Sequence, residues 1–453
     1  MALFGRRKRA QQGAEEPEPI ETPDPGPEEE TGPALPPVDA EGRRGVDGHR
    51  EFVLSLVDEL PPFGQQILDA LDLSLCEDVI SPVDLPAFDH AGVPGYAVQA
   101  ADLEGAKDSD PVVLAVVGHV HPGQVAPTPL SPGTAMTLSA GAPIPENADA
   151  VVPLGDTDEG ADDVLIYREA SLGQYIRRRG EDLAAGTQVF EAGQRLSPGA
   201  IGLLAAIGQD KALVRPRPRV VVVSAGADLV EPGIALRDQG QSYDAASVLL
   251  AAAAKQAGAV VYHVAAASDD PLVVTQAIQD QLVRADLLVL VDRSESIGSA
   301  ASSEIGVLRR VADSLGWSNV AEVAMAPGTT HGVGLIGTDE TPALLVPGEP
   351  MAALVAFEAF VRPVIRKLRG VTPVIRPAAA AVVRNDIDST TGRREFVAGV
   401  IEATDDQRRV RVAGAPGRLA ESIGPANALI LLDEETDRVV AGDIVPVWLL
   451  GEE

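Results

Sequence analysis

The fold is decided by the stretch RVVVVSAG, Arg219 to Gly226. Its run of valines is typical of a strand that is buried on both faces of a parallel sheet. Three comparable apolar runs follow along the chain: AVVYHV (259–264), DLLVLVD (286–292) and ALLVP (343–347). Helical segments lie between and after these runs: 244–257, 271–284, 303–315 and 350–368. This alternation predicts a doubly wound α/β domain with a parallel sheet over residues 216–368.

A helical module is predicted on the N-terminal side of this domain. Apolar residues recur at helical spacing between positions 49 and 80, which predicts one or two helices there. These residues are Phe52, Leu56, Leu60, Ile67, Leu71 and Leu75. Another helix is predicted in SPGAIGLLAAIG, with Ser197 as its N-cap and Pro198 in its first position. Residues 48–82 and 181–215 are therefore interpreted as one helical module.

Two β-rich modules complete the folded part of the chain. Residues 83–180 contain short β-rich runs punctuated by glycine and proline, which predicts a small β module. Within it, FDHAGVPGYAV (Phe88–Val98) combines flexible glycines with the rigid Pro94, and we interpret it as a shaped loop rather than a strand or helix. After Arg369 the runs REFVAGVI, RRVRVAG, ALILLDE and DIVPVWLL predict a C-terminal β-barrel over residues 369–453.

Composition excludes several classes of protein. The chain has 453 residues and a net charge of −31, which disfavours non-specific binding of nucleic acid. Cys76 is the one cysteine, so a disulfide framework is excluded, and we expect this thiol to be buried and structural. Neither a signal peptide nor a membrane span is recognisable in the sequence. We therefore expect a cytoplasmic protein.

The N-terminal segment, residues 1–47, differs from the rest of the chain. Residues 10–47 are rich in Glu, Pro and Gly and poor in large apolar residues, which predicts a disordered acidic arm. A basic tip precedes the arm, with Leu3 and Phe4 followed by the basic run at 6–9. Two interpretations of the tip stay open: a solvated terminus, or a short peptide that docks on an acidic protein or peripherally on an anionic membrane surface.

Ligand sites in open α/β sheets lie beyond the carboxyl ends of the strands. Four loops are predicted at that edge: SAGADLVEPG (224–233), DRSESIGSA (292–300), MAPGTT (325–330) and VPGEPMAA (346–353). Glycine-containing loops that lead into helices can hold phosphate with backbone N–H groups. The edge is therefore the predicted ligand site.

The chain carries a series of longer motifs: SPVDLPAFDHAGVPGYAV, SAGAPIPENADAVV, IRRRGEDLAAGTQVF, VVVVSAGADLVEPG, GQSYDAAS, MAPG, VPGEP and GRREF. In order and spacing they resemble the MoeA/gephyrin E-domain family of molybdopterin molybdotransferases. The resemblance implies an elongated subunit of four parts that forms a homodimer, with a pterin cleft between the α/β domain and the partner's small β module. The family reaction inserts molybdate into adenylylated molybdopterin and releases AMP, with magnesium.

The small β module departs from the family at its reactive loop. The family sequence D-N-S-A-M-D-G-Y-A aligns with DHAGVPGYA, and its second aspartate, expected at the metal and molybdate, is Pro94 here. Proline has neither a carboxylate nor an N–H group, so it can hold neither a hard cation nor an oxyanion. The threonine of the family's T-G-A-P motif is Ala140. The resemblance therefore supplies no catalytic residue at these two positions.

The α/β domain departs from the family in the loop DRSESIGSA. It aligns with the family's S-G-G-V-S-V-G-D, with Arg293 and Ser294 in place of the paired glycines. Glu295 adds a negative charge, and Ser299 replaces the acid that follows the retained Gly298. Like charge weakens the binding of an anionic ligand.

Two further loops of this domain also differ. The family's K-P-G-K-P becomes APGTT, so that Ala326 and Thr330 replace both lysines. The family's P-G-N-P becomes PGEP, with Glu349 where an anionic ligand would lie. Each lost charge-assisted hydrogen bond is worth about 1.5–3 kcal/mol. The resemblance therefore implies a vestigial pterin and nucleotide cleft, whose residues are Asp244, Arg293, Gly298, Gly328 and Gly348.

Metal ligands are sparse in the sequence. The candidate carboxylates for a metal ion are Asp228, Asp244 and Asp292. The histidines at 90, 119, 121, 263 and 331 lack metal-ligand spacing, so no metal site of their own is predicted. Magnesium and molybdate are expected only if the family activity survives.

Three functions compete. The favoured hypothesis is a dimeric scaffold with a degenerate cleft that binds a partner peptide. Gephyrin uses the same dimer to bind the tail of a membrane receptor, and bacterial gephyrin-like members are linked to the division tubulin FtsZ and a membrane partner. The alternative is a molybdopterin molybdotransferase with an altered site. A third hypothesis is a carrier that binds the pterin without reacting it.

Overall fold

A computed structural model of the chain describes residues 32–124, 128–292, 306–403, 407–414 and 418–451. The described residues from 36 onward form one compact unit. Of the first 35 residues only 32–35 are described, and these four lie outside helices and strands. The basic tip and most of the acidic arm therefore lie outside the described residues.

The helices and strands of the described chain fall into three groups along the sequence. The N-terminal elements are α1 (Val46–Ser55), β1 (Phe63–Gln66), β2 (Val79–Ile80), β3 (His90–Ala91), β4 (Gly95–Val98), β5 (Val112–Val120), β6 (Thr134–Leu138), β7 (Ala150–Pro153), β8 (Asp163–Ile166), β9 (Ile176–Arg177), β10 (Gln188–Phe190), α2 (Pro198–Ala206) and β11 (Lys211–Val214). The central elements are β12 (Arg219–Ala225), β13 (Leu229–Val230), β14 (Ser242–Tyr243), α3 (Ala245–Gln256), β15 (Val260–Ala266), α4 (Pro271–Leu282), β16 (Leu287–Asp292), α5 (Val307–Leu315), β17 (Gly316–Glu322), β18 (Met325–Ala326), β19 (Thr330–Ile336), β20 (Thr341–Pro347), α6 (Pro350–Ala356) and α7 (Arg362–Leu368). A π-helical segment, Phe357–Val361, joins α6 to α7. The C-terminal elements are β21 (Ala378–Val383), β22 (Ile387–Asp388), β23 (Arg394–Ala403), β24 (Arg408–Val412), α8 (Leu419–Ser422), β25 (Ala428–Leu432), β26 (Arg438–Val439) and β27 (Ile444–Leu449).

The central elements form the predicted doubly wound sheet. Its strand order is β15-β12-β16-β20-β19-β17, in which the first four strands are parallel and the last two are antiparallel. Val220 and Val222 pack with α1, α3, α6 and α7, whereas Val221 and Val223 pack with α4 and α5. Each buried valine contributes about 1.5–3 kcal/mol. The run of valines thus forms a strand covered on both faces, as predicted, although β17 and β19 were not predicted.

Helix α1 belongs to the core of the α/β domain rather than to a separate helical module. Phe52 and Val53 are buried with Val220 and Leu250 in one hydrophobic cluster. The helix ends at Ser55, well before the predicted limit at 80. The predicted disordered arm is also too long, because Arg44 is buried, donates a hydrogen bond to Asn319 and lies over the ring of Phe52.

The prediction of a helix in the second half of residues 49–80 is wrong. Strand β1 pairs with β11 in antiparallel register, with Phe63 opposite Val214 and Gln66 opposite Lys211. Turns follow, and Asp72 adopts a left-handed backbone conformation (φ 66°). Backbone pairing with a distant strand outweighs the local helical spacing here. Cys76 lies in this non-helical segment and is half-buried rather than buried, and burial raises the pKa of its thiol.

Helix α2 confirms the predicted cap. Ser197 accepts a hydrogen bond of 3.2 Å from the backbone N–H of Ala200, and Pro198 occupies the first helical position. The helix packs with Leu73 and Leu75 through Leu204 and its neighbours.

The small β module is a five-stranded sheet of order β7-β4-β6-β5-β8. The stretch FDHAGVPGYAV is only partly a loop, because it contributes strands β3 and β4 on either side of a bend at Pro94. Gly95 lies so close to β7 that a Cβ atom would stand 2.0 Å from the carbonyl oxygen of Val152. Tyr96 is buried and donates a hydrogen bond of 3.0 Å to the carbonyl oxygen of Gly160. Pairing with neighbouring strands, which the sequence does not reveal, shapes this stretch.

The C-terminal elements close into the predicted barrel. Its five strands follow the order β23-β24-β21-β27-β25, and β25 pairs again with β23. Strand β18 joins β23 in parallel, with Met325 opposite Arg394, so part of the predicted MAPGTT loop is a strand. A buried ion pair between Glu358 and Arg376 (2.9 Å) links the π-helical segment to the barrel. Within the described ranges, every helix is too short or too polar to span a membrane.

Candidate functional site

The carboxyl edge of the parallel sheet gathers those predicted site residues that the structure describes, Asp244, Gly328 and Gly348. Register places Ser224 opposite Val291, and Asp292 opposite Pro347, so that β12, β16 and β20 end side by side. The strand order reverses direction at β12, because the chain passes outward to β15 and then returns to β16. Crevices at such reversal points are where ligands bind in open α/β sheets.

Asp244 is the most firmly held carboxylate at this edge. It is buried and caps α3 by accepting a hydrogen bond of 3.2 Å from the backbone N–H of Ser247. The hydroxyl of Ser224 donates a second hydrogen bond to the other carboxylate oxygen. Burial would raise the pKa of this carboxyl, but interactions with His263, Ser224 and Ser247 outweigh burial and lower the pKa to about 2. Asp244 is therefore ionised and fixes the start of α3.

The cluster around Asp244 is not a nucleophilic relay. Nε2 of His263 lies 2.7 Å from the hydroxyl of Ser247 and 3.8 Å from Oδ2 of Asp244. In a relay the hydroxyl and the carboxylate contact opposite nitrogens of the ring. Because both groups face the same nitrogen, the cluster is a structural network. The sequence prediction missed Ser224, Ser247 and His263; the one signal was a serine that ends the run of valines.

The remaining carboxylate candidates do not assemble a metal site. Asp292 lies against the start of α5, where a Cβ atom added to Gly306 would stand 2.4 Å from Oδ1 of Asp292. Asp228 lies beside Gly226, in the loop that precedes β13. Among the described residues, no group of three or more His, Cys, Asp or Glu side chains could hold a metal ion. Arg293, Glu295, Gly298 and Ser299 lie outside the described residues.

Glu349 covers the start of α6. Its carboxylate accepts a hydrogen bond of 2.7 Å from the backbone N–H of Ala352. Gly348 lies between this cap and Pro347 at the end of β20. Gly328 has a left-handed conformation (φ 78°), and a Cβ atom there would stand 2.9 Å from both Pro347 and Ala352. The MAPG and VPGEP loops therefore pack against each other, and packing alone explains the retained Gly328.

The altered loops of the small β module also lie side by side. The backbone N–H of Ala91 donates to the carbonyl oxygen of Ala142 (2.9 Å), and that of Gly141 donates back to Ala91 (2.8 Å). Pro94 is exposed at the bend between β3 and β4, and Ala140 is exposed beside Gly141. These contacts bring together the two loops in which the family's aspartate and threonine are replaced.

Asp89 interacts with the two arginines that follow β9, Arg178 and Arg179. It accepts hydrogen bonds of 2.7 Å from the backbone N–H of Arg179 and from the guanidinium of Arg178. The Arg179 N–H and then the Arg178 side chain hold the pKa of Asp89 below its usual value. Part of the run IRRRGED thus has an intramolecular ion-pairing role.

Comparisons with known proteins cover nearly the whole folded chain. Residues 45–208 match the profile of the MoeA N-terminal region (domain I and II), residues 221–367 match the "probable molybdopterin binding domain", and residues 380–450 match the MoeA C-terminal region (domain IV). Molybdopterin molybdenumtransferase 2 of Mycobacterium tuberculosis H37Rv is 36% identical over 410 residues, which are 89% of this chain and 99% of the relative. Molybdopterin molybdenumtransferase 1 of the same strain is 34% identical over 416 residues, covering 86% of this chain and 95% of the relative.

A solved structure agrees with these sequence matches. The molybdopterin biosynthesis MoeA protein of Pyrococcus horikoshii superposes with a TM-score of 0.74 at 28% identity and covers 90% of this chain and 99% of that protein. Fold, sequence and motif order therefore point to the same group. The chain belongs to the MoeA family.

Proposed function

We propose that the chain transfers molybdenum to molybdopterin, the reaction that gives its relatives their name. The observation that carries this proposal is the similarity to a molybdopterin molybdenumtransferase over 99% of that protein's length. All three family profiles are also matched in order. The reaction implied by the family takes adenylylated molybdopterin and molybdate as substrates and releases AMP.

The crevice between the ends of β12 and β16 is the proposed binding site of the pterin nucleotide. It lies within the region that matches the molybdopterin-binding profile. Asp244 acts here as a positioning residue, because its carboxylate is held by Ser224 and Ser247 and keeps α3 fixed against the sheet. Glu349 limits the approach of phosphate to α6, since its carboxylate already accepts the N–H group of Ala352.

Magnesium does not fit the described residues. Pro94 replaces the acid expected at the metal, and Asp244 is committed to its hydrogen bonds. Within the described ranges, no carboxylate cluster provides three ligands, although a hard cation prefers several oxygen ligands. We therefore assign no step of the reaction to this ion.

The proposal is tested with the purified full-length chain, adenylylated molybdopterin and molybdate, with and without magnesium. We expect AMP to be released in amounts equal to the molybdenum bound to the pterin. Omitting molybdate should abolish the release of AMP, because the proposed reaction couples this release to the transfer of molybdenum to the pterin. If AMP is not released above the level of a reaction without protein, the proposal fails.

A second candidate is a non-catalytic homodimeric scaffold that binds a partner peptide. Two substitutions favour it. Pro94 replaces the family's aspartate in the small β module, and Glu349 at the sheet edge places a carboxylate on the start of α6, where an anionic ligand would lie. This candidate expects a dimer by light scattering, no AMP release, and no activity in Pro94→Asp. Activity restored by Pro94→Asp alone would contradict it, because one substitution would then have been the whole defect.

A further inference from the structure

Two histidines of the small β module face each other at its surface. His119 lies in β5, and His121 follows the end of that strand at Val120. Residues two apart on an extended chain project to the same face. Nε2 of His119 therefore lies 3.1 Å from Nδ1 of His121, with the ring centroids 3.9 Å apart. The spacing argument from the sequence did not predict this pair.

A hydroxyl completes a triangle with the two nitrogens. Strand β6 runs parallel to β5 with Thr137 opposite His119, so Ser139 continues on the same face beside His121. The Oγ atom of Ser139 lies 3.0 Å from Nδ1 of His121 and 3.4 Å from Nε2 of His119. Three potential ligand atoms thus stand 3.0–3.4 Å from one another.

These separations match one face of a metal coordination shell. Histidine nitrogens bind zinc at about 2.0–2.1 Å, which places neighbouring ligands about 2.9 Å apart at octahedral angles and about 3.3 Å apart at tetrahedral angles. Only one of the two facing nitrogens needs to carry a hydrogen in the free protein, and a metal ion would replace it. Both histidines and residues 122–124 are exposed, so water can fill the remaining positions.

We propose that His119 and His121 bind a divalent transition-metal ion of the copper, nickel or zinc class, with Ser139 at its side. Imidazole nitrogen is a preferred ligand of these ions, whereas magnesium and calcium prefer oxygen. Ser139 is the first residue of SAGAP, so this site belongs to the small β module, whereas the proposed crevice lies at the sheet edge of the α/β domain. It does not rest on the proposed molybdenum transfer, and the two tests can fail independently.

The test uses the full-length chain without an affinity tag, titrated with Cu²⁺ in a calorimeter at pH 7.5. We expect one ion per chain, and the electron paramagnetic resonance spectrum of the complex should show coupling to two imidazole nitrogens. His119→Ala and His121→Ala should each weaken binding at least about tenfold, which is about 1.4 kcal/mol. His90→Ala is the matched control on the same module, and it should bind copper like the natural chain.

Ser139→Ala separates the roles of the ligands. A hydroxyl is replaceable by water, so this variant should weaken binding less than either histidine variant. The proposal is overturned if the natural chain binds copper no more tightly than the double variant His119→Ala/His121→Ala. It is also overturned if the spectrum of the natural complex lacks two imidazole nitrogens, a readout that does not depend on how any variant folds.

Discussion

The carboxylate of Glu349 caps α6 by accepting a 2.7 Å hydrogen bond from the backbone N–H of Ala352. Two other helices at the same sheet edge begin in the same way. Asp244 accepts from Ser247 at the start of α3, and Asp270 accepts from Leu272 at the start of α4. Helix starts attract anions through free N–H groups and the helix dipole. Here the chain's own carboxylates already occupy these positions.

Glu349→Asn should improve the use of an anionic substrate. Asparagine retains a capping oxygen but removes the charge, so we expect the free energy of unfolding to change by less than about 0.5 kcal/mol. Removing repulsion worth about 1 kcal/mol should lower the KM for adenylylated molybdopterin by about threefold to tenfold. Asp270→Asn at α4, which follows the edge strand β15 of the sheet, is the matched control for removing a capping charge and should leave KM unchanged. An unchanged KM in Glu349→Asn would contradict a role for this charge.

Asp244→Asn should destabilise the protein in a pH-dependent way. The pKa of Asp244 is lowered from 3.8 to about 2 in the folded chain, so the ionised carboxyl stabilises the fold above pH 3.8. This contribution is lost as the pH falls through about 2. The difference in unfolding free energy should be about 2 kcal/mol at pH 7 and roughly half of that at pH 3. Urea unfolding at both pH values measures it, and equal differences would refute the assignment.

The buried pair of His49 and His331 should make the fold sensitive to acid. Both rings pack against Phe360, and among the described residues neither Nδ1 atom has a hydrogen-bond partner. Burial, with repulsion from His331 and Arg44, lowers the pKa of His49 to about 3. Burial lowers the pKa of His331 to about 4, although a hydrogen bond with Gly328 opposes it.

A histidine whose pKa is lower in the folded state stabilises the fold fully above pH 6.5, and this stability is lost as the pH falls towards the folded value. When the pH falls from 7.5 to 5, His49 alone should lower the free energy of unfolding of the natural chain by about 2 kcal/mol. In His49→Phe the loss of unfolding free energy over that interval should be smaller by this amount. Denaturant titrations at the two pH values provide the measurement, and an identical loss in both proteins would argue against the buried neutral ring.

The ion pair between Glu358 and Arg376 should be critical for attaching the barrel. Glu358 is 5% exposed and Arg376 is 8% exposed, and the guanidinium contacts both carboxylate oxygens at 2.9 and 3.2 Å. Glu358→Gln leaves a buried cation without its counter-charge, which typically costs about 3–5 kcal/mol. Thermal melting should show this loss. The double variant Glu358→Leu/Arg376→Met is the control and should recover part of the loss, because the buried Arg362, 3.9 Å from Glu358, still loses its nearby carboxylate. A harmless Glu358→Gln would show that the pair contributes little.

The sequence predicts the parts of the fold that are encoded locally. The valine run at 220–223 predicts a strand that is covered on both faces, and Ser197 followed by Pro198 predicts the start of a helix. Long-range pairing is not encoded in this way. Strand β1 forms because its backbone pairs with that of β11, more than a hundred residues later in the chain. The helical spacing of Ile67 and Leu71 therefore predicts a helix that does not form.

The positions of three candidate residues in the fold were predictable to a similar extent. The motifs place Asp244, Gly328 and Glu349 at the sheet edge, where the structure also has them. Their roles depend on partners that the motifs do not reveal, such as Ser224 at Asp244 and Ala352 at Glu349. The pairing of His119 with His121 required the register of β5 on β6.

The most direct test of the central claim is the rate of molybdate-dependent AMP release from adenylylated molybdopterin by the purified full-length chain. The account predicts release at least about tenfold faster than without protein, which is about 1.4 kcal/mol of barrier, with one molybdenum gained by the pterin for each AMP. A chain with a native circular dichroism spectrum that releases no AMP above the protein-free reaction would contradict it.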